Sequence, residues 1–146
     1  MNIPETSQRE FSDAMESGNI EVVLSMLGQY PTMVHLRSWT PPPLHCAILW
    51  NQREVAQILL EAGADLELCD PDRQTTPLRY AVMYCKLELI PLLISRGANF
   101  GVIEKGGMTA LQLAEAAAAG EYEEFDDLPR REEYVAVVAL LRDLLD

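Results

Sequence analysis

A short block recurs along this chain at a near-constant interval. Pro43-Leu44-His45-Cys46-Ala47 returns as Pro77-Leu78-Arg79-Tyr80-Ala81, and again as Ala110-Leu111-Gln112-Leu113-Ala114. A second block keeps step with the first: Leu59-Leu60-Glu61-Ala62-Gly63-Ala64-Asp65 recurs as Leu93-Ile94-Ser95-Arg96-Gly97-Ala98-Asn99. A period in this range means one small structural unit stacked on copies of itself, because a unit so short cannot bury its apolar face alone. The chain is therefore predicted to be a solenoid, a form whose extended surface commonly binds other macromolecules.

The two markers resemble those of the ankyrin repeat family. The family's Thr-Pro-Leu-His signature is matched by Thr76-Pro77-Leu78 and by Pro43-Leu44-His45, and its Gly-Ala-Asp by Gly63-Ala64-Asp65 and Gly97-Ala98-Asn99. Gly18 to Leu27 fits a divergent first repeat, with Ala14 one period ahead of Ala47. The resemblance implies an all-α solenoid of about four helix-turn-helix repeats with projecting finger loops. The repeats run near 5–36, 37–70, 71–103 and 104–146, the terminal two acting as caps.

The residues themselves predict helices near 7–16, 19–28, 44–50, 54–62, 78–84, 87–95, 110–119 and 130–145. Gly18 and Asn51 fall between paired helices, where a left-handed residue is needed and both tolerate it. Gly63 and Gly97 follow second helices as caps. Pro43 and Pro77 sit in first turns, where a missing N–H costs little. Thr76 and Thr109 can cap their helices through the hydroxyl, whereas Pro42 takes the place of a third such Thr. Cys85 replaces the inter-helix Gly, which predicts an altered turn. Pro91 lies about a turn into its helix and predicts a kink through loss of a bond to the Leu87 carbonyl. Fingers are expected at 36–42, 67–75 and 101–108.

The last repeat is interrupted by an insertion near 120–131. Between Glu121 and Glu133 seven acidic residues face two basic ones, a local charge of 2 − 7 = −5. Tyr122 and Phe125 are interleaved with the carboxylates. Asp127 ahead of Pro129 reads as a helix start. The following helix shows an apolar face of Tyr134, Val135, Val138, Leu141 and Leu145.

Charge excludes one function class. With 23 acidic and 11 basic residues the net charge is −12, which opposes nonspecific nucleic-acid binding and suits a basic partner. The three cysteines, Cys46, Cys69 and Cys85, match no metal or redox spacing and fit a reducing, cytoplasmic compartment. No signal peptide or membrane-length apolar run is visible.

No catalytic, cofactor or metal constellation is found. His45 is expected to make a structural hydrogen bond, and its neighbour Cys46 cannot face it on a helix. The acidic insertion lacks the spacing and glycine of a calcium loop. The resemblance places partner contacts on finger tips and on the exposed ends of first helices. Carried onto this chain they are Trp39, Leu49, Trp50, Arg73, Met83, Tyr84, Ile103 and Met108. Tyr122 and Phe125 of the insertion join them as candidates, since aromatic residues dominate binding hot spots. The expected function is a monomeric, non-catalytic protein-binding module that uses its finger tips and concave helix face. The alternative is an acidic neutraliser of a basic enzyme or toxin, of the immunity-protein type.

Overall fold

The computed structural model describes residues 2–36, 38, 39, 41–103, 107–121 and 128–145. Among them are eight α-helices and no strand: α1 Glu5–Ser17, α2 Ile20–Gln29, α3 Pro43–Leu49, α4 Arg53–Glu61, α5 Pro77–Met83, α6 Leu89–Ser95, α7 Ala110–Ala118 and α8 Arg131–Leu145. A 3-10 helical turn, Pro31–His35, follows α2 where the sequence suggested only loop. It buries Met33 and Val34 and leaves His35 exposed.

The helices form two rows. α1, α3, α5 and α7 pack side by side, α2, α4 and α6 form the second row, and α8 lies against α7. The two rows carry different sequence patterns for a physical reason. α4 packs on α3 with one face and leaves the opposite face to solvent, so just Val55, Ala56 and Leu59 are buried, the stripe expected of a half-exposed helix. α3 and α5 have neighbours on both flanks as well as a partner behind. Every residue from Pro43 to Ile48 and from Pro77 to Met83 is therefore buried, and neither helix shows a polar stripe. The resulting core is continuous, running from Phe11 and Met15 through Ile48, Leu59, Leu78 and Leu93 to Leu113 and Leu141. Truncating any of these to Ala removes on the order of 2–5 kcal/mol.

All four first helices end in the same way. Gly18, Asn51, Cys85 and Gly120 take left-handed φ values of 72°, 55°, 54° and 76°. The residue after each donates its N–H five residues back, to the carbonyls of Ala14, Ala47, Ala81 and Ala116, at 2.8 Å in every case. This pairing caps the helix and turns the chain into its partner. Cys85 thus keeps the ordinary turn in spite of lacking glycine's freedom; the expectation of an altered turn is corrected. α7 is longer, with nine residues where α3 and α5 have seven. The fourth turn therefore comes later in its repeat but is otherwise conserved in form.

Two more expectations are corrected. Pro91 does not kink a helix: α6 starts at Leu89, which puts Pro91 in the first turn, where no N–H is needed. The buried face of α8 is Tyr134, Val137 and Leu141, while Val135 is 59% exposed. Asp127 lies outside the described residues, and α8 is capped locally instead, the Arg130 N–H donating to Glu133 Oε2 at 2.8 Å. The N-terminal caps at Thr76 and Thr109 are present, the second as a reciprocal box with Gln112 at 3.3 and 3.0 Å. Pro42 supplies no side-chain cap.

Candidate functional site

The His45 position builds the frame of the site. Its Nε2 donates to the Thr75 carbonyl at 2.9 Å, from within a buried environment. One repeat later, Arg79 Nη1 donates to the Met108 carbonyl at 3.1 Å. Thr75 and Met108 each precede the capping Thr of the next first helix. A side chain on one first helix therefore fastens the finger that leads into the next. Arginine replaces histidine here without changing the task, since a long cationic donor reaches the same carbonyl. The third occupant, Gln112, turns back to the Thr109 N–H.

Burial sets the chemistry of the groups beneath the fingers. It is the main cause of a lowered His45 pKa, opposed by the Thr75 hydrogen bond and by Asp70. The ring stands edge-on to Tyr80, with centroids 5.1 Å apart. Burial pushes the Cys46 thiol up to about 12, with Asp70 adding to the shift, and raises Tyr80 for the same leading reason. Burial also moves Cys85 up to about 12, helped by Glu133. Thiols this far from ionisation at neutral pH are poor nucleophiles. No group of three His, Cys, Asp or Glu residues among those described could hold a metal ion.

The second finger is held from within. The Asp70 N–H donates to the Thr75 carbonyl at 2.9 Å, the Gln74 N–H to the Asp70 carbonyl at 2.6 Å, and the Asp72 N–H to Asp70 Oδ1 at 3.2 Å. Asp70 is 2% exposed, a buried carboxylate that its turn-like sequence did not announce. Gln74 takes a left-handed φ of 53°. The Arg73 guanidinium lies 5.5 Å from the Tyr84 ring centroid, and Tyr84 leans on Tyr80 at 4.9 Å. Trp50 occupies the same place as Tyr84 one repeat earlier: both cap the C-terminus of a first helix. Both side chains are half-buried.

The first finger is arranged differently. Trp39 packs its ring against Phe11 of α1 at 6.0 Å and donates Nε1–H to Gln8 Oε1 at 3.2 Å. It is docked on its own repeat stack, half-buried, and does not project as a free tip. Leu49 and Met108 are half-buried and Ile103 is 68% exposed. Met83 is 1% exposed; its side chain belongs to the core and offers a partner no surface, a correction that follows from the two-sided burial of α5. Tyr122 and Phe125 lie outside the described residues. Phe100, beside the third finger, is 45% exposed and was not among the candidates, because its repeat position falls just before the finger.

The neck of the insertion is tied on both sides. The Glu121 N–H caps α7 at the Ala116 carbonyl, 2.8 Å away, and Arg131 Nε donates to the Ala118 carbonyl at 2.8 Å. Arg142 joins Glu115 across the two helices at 3.0 Å.

With this geometry in place, the similarities to known proteins are consistent with it. The family described as ankyrin repeats (many copies) matches residues 44–94. Rat ankyrin repeat and SAM domain-containing protein 6 is 29% identical over 68% of this chain and 11% of its own length. Pig NF-kappa-B inhibitor alpha is 42% identical over 42% of the chain and 19% of its own. The mouse B-cell lymphoma 3 protein homolog is 35% identical over 49% and 16%. The chain spans only about a tenth of the first of these relatives and no more than a fifth of the other two. No described helix is long and apolar enough to cross a membrane. The recurring helix pairs, the shared left-handed turns and the histidine-position ties agree with the ankyrin-repeat match, which covers residues 44–94.

Proposed function

We propose that this chain is a non-catalytic module that binds a partner protein on the face shared by the finger loops and the ends of the first helices. The observation that carries this reading is the alignment of large, half-exposed side chains in register. Trp50 and Tyr84 end successive first helices, Arg73 lies over Tyr84, and Ile103 stands exposed on the next finger. Aromatic and arginine side chains bury much area with few rotors, so they dominate binding energy where they are presented in this way. Repeats near 5–36, 37–70, 71–103 and 104–146 give the face its periodicity. The net charge of −12 favours a basic partner surface and acts chiefly on association rate and selectivity. The three cysteines stand as thiols, in keeping with a reducing, cytoplasmic setting. A monomer is the working state.

The test is cross-linking with mass spectrometry on the chain in the cells that make it, in parallel with a Trp50→Ala, Tyr84→Ala variant. A partner cross-linked at the fingers and weakened by about 2 kcal/mol or more per true hot spot supports the reading. Cross-links confined to the α2, α4 and α6 row, with undiminished binding by the variant, overturn it. One of the relatives is named an inhibitor, and the acidic charge keeps a second reading in view: neutralisation of a basic enzyme. Loss of that enzyme's activity at one-to-one stoichiometry would distinguish it from a scaffold.

A further inference from the structure

We infer that the indole of Trp50 is a receptor for a cationic side chain, an arginine or lysine, of the bound protein. The inference rests on the binding-module reading and specifies the partner's chemistry at one point of that face.

The argument begins with an internal comparison. Trp50 and Tyr84 are one repeat apart and occupy the same structural position, the C-terminal cap of a first helix. Trp39 and Arg73 are separated by the same interval and sit at matching places in the first and second fingers. In the later repeat the finger supplies its own cation: Arg73 lies 5.5 Å from the centre of the Tyr84 ring. In the earlier repeat the finger residue is an aromatic, and it is turned the other way. Trp39 is held on α1 by Phe11 and by the hydrogen bond to Gln8. Among the described residues no cation lies over Trp50. The same position is thus filled by the chain itself in one repeat and left to another molecule in the next.

Ring chemistry and charge then select the occupant. Tryptophan has the strongest cation-binding face of the aromatic side chains, and Trp50 is half-buried against the core. Of the two first helices that flank α3, α1 carries the exposed Glu16 and no basic residue in its last turn, while α5 ends at Tyr84, whose ring is already faced by Arg73. The chain as a whole carries −12. An acidic group would be repelled by the net negative charge and a neutral one would gain burial alone, whereas a guanidinium or ammonium meets favourable potential on approach and a π face on arrival.

The test uses a defined probe. A hexa-arginine peptide is titrated into the folded chain at about 0.15 M salt, where exposed charges are screened beyond a short range, with a hexa-citrulline peptide as the neutral isostere. The two indole N–H resonances are followed by NMR, Trp39 serving as an internal control. The expected result is a saturable shift of the Trp50 resonance by the arginine peptide alone. Trp50→Leu should weaken binding roughly three- to tenfold. In a Trp39→Phe background, progressively fluorinated tryptophan at position 50 should weaken it stepwise, since fluorine drains the π face while leaving the shape almost unchanged. An equal shift with citrulline, unchanged affinity on fluorination, or arginine binding that leaves the Trp50 resonance still would each overturn the inference. Any of these would leave the binding-module reading standing, because that reading is tested by the partner cross-links and not by the peptide.

Discussion

Nε2 of His45 and the carbonyl oxygen of Thr75 are 2.9 Å apart, and through that contact α3 holds the finger that leads into α5. Because a carbonyl can only accept, Nε2 carries the proton and Nδ1 does not. Nδ1 is buried and meets no hydrogen-bond partner among the described residues. Charging the ring would place an N–H there with nothing to receive it.

This geometry fixes the sign of a pH dependence. Burial lowers the folded-state pKa of His45 below its ordinary 6.5, so below that value the unfolded chain binds the extra proton more readily. Stability should therefore fall as pH drops through about 6.5 and continue to fall until the folded-state pKa is reached, with a slope of at most about 1.4 kcal/mol per pH unit. Urea unfolding of the wild type and of His45→Gln between pH 7.5 and 5.5 measures it. The variant should lose the slope; an equal slope in both would assign it elsewhere.

Arg79 performs the corresponding task one repeat later, from a 3% exposed position. Arg79→Met should lower stability by about 1.5–3 kcal/mol, the usual range for a hydrogen bond to a charged donor. Hydrogen exchange should speed up first at residues 107–109, where the third finger enters α7. A uniform increase across all repeats would mean that the tie is not local.

Backbone strain offers two opposite outcomes. Gln74 is exposed and left-handed at φ 53°, so Gln74→Gly should stabilise by up to about 1 kcal/mol through relief of that strain. Gly18 is left-handed too, and a Cβ added there would come within 2.8 Å of Gln52 Oε1. Gln52 is itself held by a 2.9 Å bond to the Glu16 carbonyl. Gly18→Ala should therefore destabilise by about 1–2 kcal/mol. Thermal melts of the two single variants check both signs.

Tyr134 links the last helix to the third repeat, its hydroxyl donating to the Met83 carbonyl. The residue is 2% exposed. Tyr134→Phe keeps the packing and removes the donor, and should cost about 1–2 kcal/mol. Exchange protection should drop in α8 before α1, because the lost tie holds only the C-terminal end of the stack.

The fold was legible in the sequence because its signals are local and periodic. Thr76 and Thr109 cap helices, Gly63 and Gly97 end them, and the spacing of these markers sets the repeat. Such choices depend on a few neighbouring residues, so they can be read without knowing what lies across the molecule. The structural role of His45 was also legible, since its place in the repeated block brings a donor to the finger that follows. The candidate face was read less well. Met83 looked like a contact residue because repeat position alone does not say that α5 is enclosed on both flanks. Val135 looked apolar enough to be buried, but the register of α8 on α7 turned Val137 inward instead.

Sequence by itself determined the unit, its period and the chain's net charge, because these follow from local propensity and from a simple sum. Tertiary structure alone decided which aromatic groups are available. Trp39 and Trp50 are indistinguishable as letters, yet one is folded back onto Phe11 and Gln8 while the other is left at the end of α3. Tyr84 already has Arg73 across its ring. Whether a side chain is satisfied within the molecule depends on residues far away in the chain, and their positions exist only once the helices have stacked.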